Sequence, residues 1–135
     1  MSSAKSSEKA KVLLVDDNEA ILTRAAAVLT PSCAVVGAVR DGKAALEAAQ
    51  TLLPDVIVLD ISMPGMNGFE VATCLRNRGS TAALVFLSVH DEEELIRASK
   101  DVGGIGYVVK RRLTLDLELA VREASAGRPF MSPIR

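Results

Sequence analysis

From about Lys11 onward, the apolar positions of the chain fall into two kinds of segment that alternate. Short uninterrupted runs occupy 12–15, 34–39, 55–59, 83–87 and 105–109. Between them, 18–29, 42–52, 68–76 and 91–102 carry apolar residues at helical spacing, as Ile21, Ala25 and Leu29 do. Val56-Ile57-Val58-Leu59 contains no polar alternation, which marks a strand covered on both faces. Strand followed by helix, repeated along the chain, predicts a parallel sheet with right-handed crossovers and helices on both sides. The fold class expected is therefore α/β, a doubly wound (βα)5 three-layer sandwich. Asp91 is placed to cap the fourth helix, with Glu92, Glu93 and Glu94 in the first turn, where the helix dipole favours negative charge.

One segment fits two patterns. Leu113-Thr114-Leu115-Asp116-Leu117-Glu118-Leu119 alternates with a period of two, as a half-buried strand would, yet its continuation through Ala120, Val121 and Ala124 also fits a helix. A parallel sheet needs a cover for its last strand, so a fifth helix is the expectation. Gly127, Pro129 and Pro133 then break the pattern. The expected division is a flexible Ser/Lys-rich tail over 1–10, one domain over 11–127, and a tail or the start of a linker over 128–135.

A length of 135 residues suits one hydrophobic core and not two. The net charge of −1, with both signs interspersed, offers no basic field to hold a nucleic-acid backbone, so this segment is not expected to bind DNA by itself. No apolar run approaches the roughly 20 residues of a membrane-spanning helix, and the first residues lack the apolar stretch of a signal peptide. No membrane contact and a cytoplasmic location are expected. Cys33 and Cys74 show neither CxxC spacing nor a nearby histidine cluster, which points to free thiols.

In an open α/β sheet, function gathers at the carboxyl ends of the strands. Strand one ends in Asp16 and Asp17, strand three in Asp60, strand four in Ser88 and strand five in Lys110. Each has an ordinary explanation alone. Asp16, Asp17 and Asn18 can cap a helix, Asp60 can start the turn made by Pro64, Gly65, Asn67 and Gly68, Ser88 can belong to a turn, and Lys110 can be a solvated charge. Their convergence on one edge is harder to dismiss. Three crowded carboxylates raise one another's pKa unless a cation neutralises them, and a hard divalent ion does so. Mg2+ suits the set, because it typically takes one or two carboxylates and keeps its other positions for water and phosphate. With that ion and the Lys110 ammonium present, Asp60 is a nucleophile for a phosphoryl group, and Ser88 supplies a hydroxyl to its oxygens.

The same residues resemble a known family. Val12-Leu13-Leu14-Val15-Asp16-Asp17, Asp55-Val56-Ile57-Val58-Leu59-Asp60-Ile61-Ser62-Met63-Pro64-Gly65-Met66-Asn67-Gly68, Leu87-Ser88 and Gly106-Tyr107-Val108-Val109-Lys110 are similar to the receiver domain of two-component response regulators. The resemblance covers about 11–127 and implies a flavodoxin-like, CheY-like sheet of five parallel strands in the order 2-1-3-4-5. It implies that Asp60 is the phospho-acceptor and that Asp17, Asp60 and the backbone carbonyl of Ser62 hold Mg2+, or Mn2+ in its stead. Asp16 would help through water and Lys110 would pair with the phosphate. Ser88 and Tyr107 resemble the switch hydroxyl and the aromatic that turns inward behind it. A sensor histidine kinase or phosphotransfer protein is the implied partner, with a homodimer through the face of helix four, strand five and helix five. Gly127-Arg128-Pro129-Phe130-Met131-Ser132-Pro133 resembles the passage to a helix-turn-helix effector in regulators of the NarL/FixJ (LuxR-type) group, which implies control of transcription.

The departures are Arg111 and Arg112 where many receivers have proline after the lysine, Val89 in place of a smaller residue after the serine, and Ser62 and His90 at variable positions beside the site. A competing reading is a phosphohydrolase of the haloacid dehalogenase type. That reading needs a second Asp two residues after the first, where Ser62 stands. A plain interaction module would not need every one of these side chains, and a flavin-binding domain would need a Ser/Thr/Gly cluster in the first loop.

Overall fold

The computed structural model describes residues 9–133. Six strands, β1 (Lys11–Val15), β2 (Ala34–Val39), β3 (Val56–Asp60), β4 (Ala83–Ser88), β5 (Gly104–Val109) and β6 (Phe130–Met131), form one sheet in the order β2-β1-β3-β4-β5-β6, and every pairing is parallel. Five helices connect them: α1 (Glu19–Leu29), α2 (Gly42–Leu52), α3 (Gly68–Asn77), α4 (Glu93–Asp101) and α5 (Leu113–Ser125). The expected order of the first five strands is observed, with one strand added. The tail expected over 1–10 falls largely on residues 1–8, outside the described residues.

The apolar runs alternate sides and bury both. Leu13, Val15, Ile57, Leu59, Leu84 and Phe86 face a core shared with α2 and α3, while Val12, Leu14, Val56, Val58, Val85 and Leu87 face one shared with α1 and α5. Local chemistry sets where the helices begin. Asn18 accepts from the amides of Ala20 and Ile21, Asp41 accepts from Ala44, and Asn67 with Glu70 closes a reciprocal capping box on α3. The fourth helix departs from expectation. Its cap residue is Glu92, without a side-chain cap bond, and Asp91 instead pairs with Arg111 at 3.2 Å. That carboxylate thus meets a charged partner from the β5–α5 turn and not an amide of the helix.

The ambiguous segment is a 13-residue helix. Leu113, Leu117, Ala120, Val121 and Ala124 are buried, whereas Leu115 and Leu119 are exposed, so the alternate leucines that imitate a strand face outward. The end of the chain also differs from the sequence reading, which has it leave the domain near Gly127. Gly127 adopts φ 78°, Arg128 turns back onto the Glu123 carbonyl and carboxylate, and Phe130 and Met131 pair with Gly106 and Tyr107 as β6. The glycine ends the helix in the left-handed conformation that suits it and redirects the chain along the sheet edge.

Candidate functional site

The parallel register brings Val15 beside Leu59, Asp60 beside Leu87, and Ser88 beside Val109, so residues at or just past these strand ends share one crevice. Asp16, Asp60 and Ser88 are buried to 1%, 2% and 1% exposure. One carboxylate oxygen from each of Asp16, Asp17 and Asp60 lies within 4.8 Å of the others. Lys110, the first residue of a 3-10 turn (Lys110–Arg112), reaches back to this cluster. Its Nζ stands 3.3 Å from Asp60 Oδ1 and 2.9 Å from Asp16 Oδ2, both as ion contacts.

The remaining valences are unevenly filled. Asp16 Oδ1 accepts from the Asn18 amide at 2.8 Å and Asp60 Oδ1 from the Ser62 amide at 3.3 Å. Asp60 Oδ2 is buried with no hydrogen-bond partner. Burial, followed by the charge of Asp16, pushes the Asp60 carboxyl up to about 7, against the opposing pull of Lys110 and the Ser62 amide. Burial also pulls the Lys110 ammonium down, but Asp16 and Asp60 together more than offset this and leave it raised. Two buried acids, a half-buried third and one ammonium leave excess negative charge around an orphaned oxygen. A hard divalent cation fits that donor set, by charge and by ligand type.

Gly68 is required by close approach. Its amide donates to the Ile61 carbonyl at 2.8 Å, and a Cβ there would strike the Asp60 carbonyl oxygen. The turn that starts at Asp60 is thereby folded under the site.

The hydroxyl of Ser88 accepts from the His90 amide at 3.0 Å. Tyr107, only 2% exposed, donates its phenol to the His90 carbonyl at 2.8 Å, so the same short loop engages both side chains. Burial raises the Tyr107 pKa, the Ser88 hydroxyl lowers it, and Glu92 and Asp91 raise it again. The tyrosine ring lies against the α2–α3 core. Val89 is 63% exposed, and the His90 imidazole lies 3.5 Å from Glu92. Ser62 is exposed and contributes its amide to Asp60.

A second polar group lies among residues that the sequence reading does not single out as a group. Arg112 pairs with Asp116 at 2.7 Å, and Asp116 accepts from the buried Ser132 hydroxyl at 2.7 Å. Asp116 gave one signal, since it sits on the same helical face as Leu113, Leu117 and Ala120. Ser132 gave none.

The sequence profile of the response regulator receiver domain matches residues 12–122. The nitrate/nitrite response regulator protein NarL of Escherichia coli K12 is 35% identical over 127 residues, covering 93% of this chain and 59% of that protein. A probable transcriptional regulatory protein NarL of Mycobacterium tuberculosis is 34% identical over 129 residues, with the same coverages of 93% and 59%. This chain thus spans about 59% of the length of these relatives. Among solved structures, the signal receiver domain of the M. tuberculosis NarL superposes with a TM-score of 0.85 at 33% identity, covering 90% of this chain and 99% of that one. A LuxR-family two-component response regulator from Aurantimonas reaches 0.87 at 27% identity, with coverages of 93% and 91%. The strand-end acids and lysine lie within or beside the strands that these likenesses share, and the chain belongs to the response regulator receiver domain family, among relatives of the NarL and LuxR type.

Proposed function

We propose that this chain accepts a phosphoryl group on Asp60 from a sensor histidine kinase or phosphotransfer protein, and that the modification alters a partner-binding face. The observation that carries this reading is the buried Asp60 carboxylate, whose Oδ2 has no hydrogen-bond partner while its Oδ1 meets the Lys110 ammonium, in a cluster with Asp16 and Asp17. In the transfer, Oδ2 attacks phosphorus, the P–N bond of the phosphohistidine breaks, and the electron pair leaves with the imidazole. Lys110 carries positive charge to the oxygens that become more negative. Asp17, Asp60 and the Ser62 carbonyl would hold Mg2+, with Asp16 assisting through water, and Mn2+ has the same ligand preferences. When bound, the ion neutralises the carboxylates and the phosphoryl oxygens.

The product adds about −1.5 to −2 charges beside Ser88. The Ser88 hydroxyl accepts from the His90 amide and keeps its own proton to donate toward the phosphoryl group, so a movement of Ser88 toward it would carry the His90 loop, to whose carbonyl Tyr107 is also tied. One charge-assisted hydrogen bond contributes roughly 1.5 to 3 kcal/mol, whereas shifting a two-state domain from 1:99 to 99:1 takes about 5.5 kcal/mol. Ser88 therefore starts a shift that Lys110, backbone donors and partner binding at the α4–β5–α5 face complete. A homodimer through that face and control of transcription through a helix-turn-helix output, as in NarL-type regulators, complete the proposal. The chain would act in the cytoplasm and catalyse only its own phosphorylation and dephosphorylation. Among the described residues no helix is long and apolar enough to cross a membrane.

Incubation with acetyl phosphate and Mg2+, followed by phosphate-affinity electrophoresis, tests the assignment. Label on the native chain that disappears in Asp60→Asn is the expected result. Label retained in that variant would move the acceptor elsewhere.

A further inference from the structure

Among the described residues, Lys110 is the cation in contact with both Asp16 and Asp60, and it stands where β5 gives way to the 3-10 turn. Arg111 follows it, so no proline ring stiffens that turn. A chain of linked polar groups, with Asp116 and Ser132 buried and Arg112 partly exposed, brackets it instead. Upstream, the Val109 amide donates to Ser132 Oγ at 3.1 Å, and that hydroxyl donates to Asp116 Oδ2 at 2.7 Å. Downstream, Arg112 Nε donates to the same Asp116 oxygen at 2.7 Å and Nη2 to the other at 3.2 Å. The residue before Lys110 and the residue two after it are thus tied to one carboxylate. The link is a hydroxyl that arrives from beyond the last helix.

Ser132 is 0% exposed and Asp116 6%. Its backbone amide also donates to the Tyr107 carbonyl at 2.9 Å, so Ser132 grips β5 on both sides of Val108. A carboxylate and a hydroxyl buried beside the apolar face of α5 cost desolvation that alanine would avoid. A fully satisfied polar network repays this by specifying a single geometry. The network also commits the charge of Arg112 to Asp116, as the charge of Arg111 is committed to Asp91, and leaves Lys110 to the acidic cluster.

We propose that Ser132, joined to Asp116 and Arg112, is a positioning residue for Lys110, so that the segment following α5 belongs to the phosphoryl-accepting machinery. This rests on the roles assigned above to Asp60 and Lys110. Ser132 touches none of the reacting atoms and acts by holding the strand end from which the lysine reaches inward.

The test uses the full chain carrying Ser132→Ala, with Lys110→Ala and the double variant for comparison. Acetyl phosphate labelling rates are followed by mass spectrometry and Mg2+ affinity by calorimetry. Ser132→Ala removes two hydrogen bonds, one from the Val109 amide and one to Asp116, and is expected to slow labelling about fivefold. Mg2+ affinity should stay unchanged, because the acids keep their places. In the Lys110→Ala background, Ser132→Ala should cause no additional slowing, since a residue acting through the lysine has nothing left to position. Labelling at the native rate, a proportional fall in Mg2+ affinity, or equal slowing in both backgrounds would overturn the inference. If Ser132→Ala does not fold, Arg112→Ala, at a partly exposed side chain, carries the same expectations. A native chain that takes no label on Asp60 would overturn the acceptor assignment, and this inference with it.

Discussion

Replacing Asp60 by Asn should make the metal-free protein more stable at pH 8, although it removes a contact with Lys110. Asp60 is buried, and its carboxyl is pushed from 3.8 to about 7, first by burial and then by Asp16. A folded-state pKa above the unfolded one means that the unfolded chain ionises first as pH rises. The stability associated with the protonated carboxyl is fully present below about 3.8 and lost as pH rises through about 7. A rise of roughly three pH units at 1.36 kcal/mol each sets a ceiling of about 4 kcal/mol on the cost of holding the ionised group. That ceiling already contains the pull of Lys110, and since the Asn amide must still find partners in the buried site, a net gain of about 1–3 kcal/mol is expected at pH 8. Urea denaturation in EDTA measures it. With a slope of about 1–3 kcal/mol/M, the midpoint should move upward by roughly 1 M. The advantage of the variant should shrink as pH falls from 7 toward 4, because the folded Asp60 takes up its proton over that range, and vanish only below about 3.8, where both states are protonated. Adding Mg2+ should narrow it at pH 8, because binding to the native fold stabilises the unaltered protein. A variant no more stable than the native chain in EDTA at pH 8 would refute the claim that Asp60 is held there at a cost.

Lys110→Ala should retain Mg2+ binding while slowing acetyl phosphate labelling by at least tenfold, a difference read from calorimetry and labelling in parallel. Gly68→Ala should cost about 1–3 kcal/mol in thermal or urea unfolding, since its methyl would press on the Asp60 backbone. Leu117→Ala should destabilise by about 2–5 kcal/mol, while Leu115→Ala changes stability by no more than about 0.5 kcal/mol; similar losses at both sites would contradict the helical face assigned to α5. Tyr107→Phe should cost about 1 kcal/mol by removing the bond to the His90 carbonyl, and a change confined to experimental error would dispute that bond.

Much of the molecule is written locally. Uninterrupted apolar runs such as Val56 to Leu59 specify strands buried on both faces, and Asn18, Asp41 and Asn67 start helices through amides two or three residues away. The placement of Asp16, Asp17, Asp60, Ser88 and Lys110 at strand ends is visible in the sequence because a parallel sheet aligns such ends. Other features depend on neighbours distant in the chain. The Leu113–Ser125 segment satisfies two periods, and packing against α1 and β5 selects the helix. Asp91 stands where a local cap is expected, yet its carboxylate pairs with Arg111, brought close by folding. The segment after Gly127 reads as an exit until the free edge of β5 offers hydrogen bonds to Phe130 and Ser132. Most of all, the raised pKa of Asp60 and the reach of Lys110 to two carboxylates are properties of the assembled crevice. Periodicity and capping act over a few residues, whereas desolvation and charge depend on distances in space that only the closed fold creates.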